Sequence, residues 1–311
     1  MYDKISMRDA FGQALVELAR EDDNIFYLAA DTTKSMGGAL ISKEFPDRAR
    51  NVGIAEQNMM LMASGMASCG AKVFAATYAV FASMRVLEQV RTFIAYPKLD
   101  VKLIAGLGGI TGGIEGATHQ GTEDIGIMRN IANMVVVSAA DAASTRVITR
   151  AIADYKGPVY LRIGRNPFEQ VFDENYQFEI GKANVMLDEG KDACIICHGI
   201  VAARCLAAAK ALKEKGIGVR LIEMPTIKPI DKEAIVSAAA ECKNIVTVED
   251  HNIIGGLGGA VAEVLAEAGM GKLKRMGIPD CYGQSGTDAE LLEYFGLTVE
   301  NIVHTVEEFI K

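Results

Sequence analysis

A single carboxylate opens an apolar helix in the stretch Gly53-Ile54-Ala55-Glu56-Gln57-Asn58-Met59-Met60. A short β-type run reaches Gly53, and the helix that starts at Glu56 carries Met59, Met60, Met62, Ala63, Gly65 and Ala67. A carboxylate at the first turn of a helix that is apolar nearly all round has few routes to solvent. Its affinity for a proton is expected to rise unless a specific partner bonds it. Beyond a second strand, Ala71 to Ala76, a further helix is expected to carry Tyr78 and Phe81 near its start. Helical residues three apart share a face, so this pair could hold a flat ring over the carboxylate. Taken alone, each part has a plainer reading: a helix-start glutamate favoured by the dipole, and two core aromatics.

Two loops bring further polar groups. Asn24 to Ala30 reads as a short buried strand ending in Asp31-Thr32-Thr33-Lys34-Ser35, and ligands in open α/β sheets gather at the carboxyl ends of strands. Another buried strand, Val101 to Ala105, runs into Gly106–Gly121, where seven of 16 residues are glycine and His119 lies near the end. Such a stretch cannot form a regular element cheaply, and long loops inside compact domains are usually functional.

The elements that would position these groups alternate. Helical spacing runs from Met7 to Arg20, Thr122 to Ile131 and Ala142 to Asp154, with strands at Met134–Ser138 and Val159–Ile163. Alternation of this kind implies a doubly wound, mostly parallel sheet. After Gly164 the periodicity fails, then returns with strand candidates at Ala193–Cys197, Val219–Ile222, Asn244–Glu249 and Leu273–Ile278. The expectation is therefore α/β, with two doubly wound domains at 1–170 and 186–311 and a linker at 171–185.

Composition narrows the class. The 311 residues suffice for two cores, and 23% charged against 50% hydrophobic residues excludes disorder. A net charge of −8 without a Lys/Arg cluster argues against a nucleic-acid partner. No run approaches a membrane span, and MYDKISMRDAFG lacks a signal-peptide core. Six cysteines scattered through apolar runs suit reduced thiols in a cytoplasmic protein. Cys194-Ile195-Ile196-Cys197-His198 matches a haem-attachment pattern, but it lies in a buried-strand run and reads as core. No second Cys/His pair supports zinc. Gly255-Gly256-Leu257-Gly258-Gly259 lacks the offset and the acidic partner of a dinucleotide fingerprint and reads as a tight strand–helix turn. His251 reads as a loop residue, His304 as solvated, and Arg162 as a surface ion pair.

GIAEQNM, followed by ATYAVF and then LEQVR, resembles the pyrimidine-binding domain of transketolase, and the similarity extends over essentially the whole chain to that enzyme's last two domains. The resemblance implies thiamine diphosphate as cofactor, with Glu56 bonding the pyrimidine nitrogen, favouring the imino tautomer and so generating the ylid. Ile54 then matches the residue that props the cofactor in its bent form, and Tyr78 and Phe81 match aromatics around the pyrimidine. Asp31 and Ser35 match residues beside the thiazolium ring and the substrate phosphate. His119 matches a His or Gln position beside the substrate carbonyl, and Arg8 and Arg165 match phosphate-binding arginines. Leu107, Glu115 and Met84 depart from the family's pattern, so pyrimidine recognition carries over whole and sugar recognition in part. The family holds the diphosphate and Mg²⁺ through Gly-Asp-Gly and a downstream Asn, and this chain contains no Gly-Asp-Gly. The resemblance thus implies the C-terminal subunit of a split transketolase. It would be self-associated as a dimer, share its cofactor with an N-terminal partner that holds Mg²⁺, and move a ketol unit between sugar phosphates. A deoxyxylulose phosphate synthase-like or 2-oxo acid dehydrogenase β subunit is the nearest alternative; a non-catalytic nucleotide-binding module is the alternative from another class.

Overall fold

The computed structural model describes residues 5–311; the first four residues of the N-terminal stretch discussed above lie outside it. The strands in chain order are β1 (Ile25–Ala29), β2 (Ala49–Asn51), β3 (Lys72–Tyr78), β4 (Val101–Gly106), β5 (Val135–Ser138), β6 (Val159–Arg162), β7 (Asn184–Asp188), β8 (Ala193–Cys197), β9 (Val219–Glu223), β10 (Thr226–Lys228), β11 (Asn244–Asn252) and β12 (Lys272–Ile278). They form a seven-stranded sheet, β10-β5-β6-β4-β3-β1-β2, and a five-stranded sheet, β12-β11-β8-β9-β7. Both are parallel except at one edge each, where β10 pairs antiparallel with β5 and β7 with β9. The chain is α/β with mostly parallel sheets, as its alternating pattern implies. Val135-Val136-Val137 and Leu103-Ile104-Ala105 are buried throughout, as strands covered on both faces must be.

Two edge strands escape the sequence reading. β7 begins at Asn184, inside the stretch 171–185 read as linker. That stretch is firmly held: Asp141, which caps the helix Ala142–Asp154 through Ser144, also accepts the amides of Val171 and Phe172 at 2.9 and 2.8 Å. Tyr176 packs on Phe172 and donates its hydroxyl to the buried Glu223 carboxylate. β10 belongs by sequence to the second unit but extends the first sheet.

A buried polar network fixes the second unit against the first. Arg162, at the end of β6, donates Nε to Asp124 at 3.0 Å and Nη1 to Asp250 at 2.8 Å, and its side chain is 3% exposed. The expectation of a surface ion pair is therefore wrong. Burial works against the guanidinium charge, but the two carboxylates overcome it and hold its pKa above the ordinary arginine value. His251 is likewise not a loop residue. It is buried in β11, its Nε2 accepting the Gly126 amide at 3.2 Å.

Candidate active site

The parallel strands of the first sheet end on one side, and the groups singled out above collect there. A short connection, 52–55, leads from β2 into helix Glu56–Ser68, so Glu56 sits at its first turn. Its carboxylate is 3% exposed and accepts a hydrogen bond from Arg85 Nη1 at 2.7 Å. Arg85 is the specific partner that the sequence reading left open. Ile54, 77% exposed, lines the same 410 Å³ cleft with Ala55, Glu56 and Arg85.

Tyr78 is the last residue of β3 rather than part of a helix, a correction to the sequence reading. Phe81 opens a π-helical turn, Phe81–Arg85. The two rings are nevertheless neighbours, with centroids 5.9 Å apart. The His119 ring meets both edge-on, at 5.8 and 5.6 Å. Tyr78 donates its hydroxyl to Ser35 Oγ at 3.1 Å, which ties the loop after β1 to the cluster. Glu56, Arg85, Phe81, His119, Tyr78 and Ser35 therefore form one continuous line of contacts.

Backbone conformation marks the same strand ends. Asp31 (φ 57) follows β1 and Leu107 (φ 56) follows β4, and non-glycine residues in the left-handed region cost of order 1–3 kcal/mol and cluster at functional sites. The Asp31 amide donates to Asn51 Oδ1 at 2.8 Å, and its carboxylate accepts Asn51 Nδ2 at 3.5 Å.

A second cleft, of 460 Å³, holds the remaining predicted residues. Arg8 and Arg165 both line it, with Glu115, Asn166, Thr287 and Asp288. Arg165 is ion-paired with Glu115. Arg8 Nε is buried without a hydrogen-bond partner. Asn166 donates to Asp288 at 2.7 Å, while Asp288 Oδ1 is buried and unpartnered. Burial raises the Asp288 pKa, and the Asn166 hydrogen bond and Arg165 charge pull it back. The Gly106–Gly121 loop walls this cleft through Thr111–Glu115. It is pinned to the second unit by Gln120, whose Nε2 donates to the Gln284 carbonyl at 2.8 Å.

Sequence reasoning missed Arg85, Asn166, Gln120 and Asp288. For Arg85 a signal existed, since it stands four residues after Phe81, about one helical turn. The second unit's residues gave none, because only tertiary packing brings them to the loop.

The glycine-rich stretch before the helix Leu257–Ala268 is not an open anion site. Glu249 accepts the amides of Leu257 and Gly258 at 2.6 and 2.8 Å, and a Cβ on Gly256 would lie 2.0 Å from that carboxylate. The six cysteines are free. Among the described residues no three His, Cys, Asp or Glu side chains gather as a metal site, and no helix is long and apolar enough to cross a membrane.

A buried carboxylate beside an aromatic ring face, both now held by the exposed Arg85 side chain, at the carboxyl ends of a parallel sheet, defines a class of site that grips a flat heterocycle by one edge and one face. The chemistry of this donor set fits the pyrimidine of thiamine diphosphate. Residues 3–170 match the family model for the transketolase pyrimidine-binding domain, and residues 181–302 match that for the transketolase C-terminal domain. The chain is 48% identical over 308 residues to a Methanocaldococcus jannaschii protein named provisionally as a transketolase C-terminal section, covering 98% of this chain and 96% of that protein. It is 40% identical over 302 residues to a 6-deoxy-6-sulfo-D-fructose transketolase subunit of Clostridium sp. (strain MSTE9), covering 97% and 94%. A solved structure titled as a split-gene transketolase, an inactive β4 tetramer, superposes with a TM-score of 0.91 at 44% identity over 98% of both chains. The chain belongs to the transketolase family and spans its pyrimidine-binding and C-terminal domains.

Proposed function

We propose that this chain is the C-terminal subunit of a two-subunit, thiamine diphosphate-dependent transketolase that passes a two-carbon ketol unit from a ketose to an aldose. The observation that carries the reading is the Glu56 carboxylate, 3% exposed yet lining an open cleft beside the Phe81 ring. Bound thiamine diphosphate supplies the carbanion chemistry that protein side chains lack. Glu56 holds the proton at the pyrimidine nitrogen. Phe81 and Tyr78 would offer the pyrimidine a face, and Ile54, exposed at the cleft mouth, would pack against the bound cofactor. Asp31 would lie on the thiazolium side of the bound cofactor. His119, packed on both aromatics, moves a proton at the substrate oxygen.

Arg8 and Arg165, with Ser35, take the far end of the substrate, and two guanidiniums suit a phosphate. The partner is an N-terminal subunit carrying Gly-Asp-Gly and its downstream Asn, which holds Mg²⁺ and the diphosphate. Ile54, Leu61, Met62 and Met84 are exposed on or beside the Glu56 helix, and apolar side chains grouped on one exposed face mark contact surfaces. This supports burial against other subunits, a dimer of this chain included.

The chain alone is expected to be an inactive oligomer in size-exclusion with light scattering, and adding the partner should restore ketol transfer. In that reconstituted enzyme Glu56→Gln should fold normally and lose two or more decades of turnover, within the ~10²–10⁴ usual for acid–base groups. Near-normal turnover of this variant, or full Mg²⁺-dependent activity from the chain alone, would overturn the reading.

A further inference from the structure

We propose that Arg85 is a built-in occupant of the pyrimidine slot, standing in for the cofactor's ring on Glu56 and Phe81, so that the ring enters by displacing it. The inference rests on the reading of Glu56 as the pyrimidine's carboxylate. Arg85 Nη1 donates to Glu56 Oε1 at 2.7 Å, and the same guanidinium lies with its carbon 3.9 Å from the centroid of the Phe81 ring. A planar pyrimidine needs the same two things, an in-plane hydrogen bond to the carboxylate and a face against an aromatic. Two planar groups cannot share one ring face and one carboxylate oxygen.

The local backbone makes the exchange feasible. The π-helical turn Phe81–Arg85 brings residue 85 back against residue 81, and π-helical turns are frequent at functional sites. The Arg85 carbonyl accepts Gln57 Nε2 at 3.2 Å, so the backbone stays tied to the Glu56 helix whichever way the side chain points. That side chain is 43% exposed and lines the cleft, which leaves it room to swing towards water. Arg85 serves the empty state by giving a nearly buried carboxylate a counter-charge. It then lowers apparent cofactor affinity by the fraction of time the slot stands open.

Binding to the purified chain tests this without any assay of turnover. The probe is 4-amino-5-hydroxymethyl-2-methylpyrimidine, a neutral ring lacking the diphosphate, titrated by calorimetry into wild type, Arg85→Ala and Arg85→Lys. Arg85→Ala should bind the ring about tenfold more tightly, the size of one half-exposed ion pair and cation–π contact removed. Arg85→Lys, which keeps a charge but no planar face, should fall between. Ethylguanidinium added to Arg85→Ala should compete with the pyrimidine and restore the weak wild-type affinity. Equal affinities for wild type and Arg85→Ala, or weaker binding by the variant, would overturn the proposal and leave the reading of Glu56 standing. Binding by none of the three proteins, Arg85→Lys serving as the folded reference, would overturn both.

Discussion

Arg162 and Arg85 each bond a carboxylate that water barely reaches, and the two pairs are built for opposite purposes. Arg162 is itself 3% exposed, and its two partners, Asp124 and Asp250, are fully buried. The loop above it is packed so closely that a Cβ on Gly109 would lie 2.1 Å from Asp250 Oδ2. Arg85 is 43% exposed and its partner opens onto a cleft. The first arrangement fixes one geometry, because charges taken out of water have nowhere else to go. The second can be exchanged, because water or a ligand can replace the arginine. A rigid clamp behind the Gly106–Gly121 loop and a replaceable partner at Glu56 are what a site needs if its walls are to hold still while its contents change.

Removing the two arginines should separate these roles most sharply. Arg162→Ala leaves Asp124 and Asp250 buried without a counter-charge and should cost about 3–5 kcal/mol in denaturant unfolding. Arg85→Ala should cost less than about 1 kcal/mol, since water in the cleft takes over at Glu56. Similar losses for both would erase the distinction.

Glu223 extends the closed side of the comparison. Burial pushes its pKa up to about 8, against hydrogen bonds from Asn184 and Tyr176 that pull it down. The folded chain then keeps a proton that the unfolded chain releases, so this group's contribution to stability falls as pH rises from the ordinary carboxyl value through about 8. His198, pushed down to about 4 by burial and by Arg162, works the other way. Its contribution grows with pH up to the ordinary histidine value near 6.5 and is flat above it. Between about pH 6.5 and 8 His198 contributes no slope and that of Glu223 remains, so Glu223→Gln should lose about 2 kcal/mol less than wild type over that interval. Parallel curves for the two proteins would mean that Glu223 ionises as an ordinary carboxyl.

The smallest expected effect lies on the open side. Arg165 is already paired with Glu115, so substrate must compete for it. With the partner subunit supplied, Arg165→Ala should raise KM for phosphorylated sugars by roughly tenfold, about 1.4 kcal/mol, and leave free sugars little changed. Equal effects on both would give Arg165 a structural task instead.

The open site was the more legible of the two regions. Glu56 announces itself as a lone carboxylate in an apolar helix, Tyr78 and Phe81 follow at a fixed offset, and the glycines of 106–121 forbid a regular element. Buried parallel strands show as Val/Ile runs, so the sheets were readable too. The closed network was not. Arg162 ends a strand, where a charge reads as surface, and its partners lie 38 and 88 residues away in sequence. His251 was misread because the polar run Glu249-Asp250-His251 looks like a loop, although β11 carries it through the interior. β10 is three residues long and followed directly by Pro229, too short for any period to show.

That short strand makes the two sheets materially dependent on each other. β5 lies next to the edge of the larger sheet, and the strand that shields its outer row of amides and carbonyls comes from beyond β9. A polypeptide stopping near residue 180 would carry Val135-Val136-Val137 as a bare, apolar, untwinned margin, the kind of template on which like chains stack into aggregates. Proteolysis between the sheets would therefore yield no tidy halves: one piece would keep an unguarded margin and the other a strand with nothing to lie against.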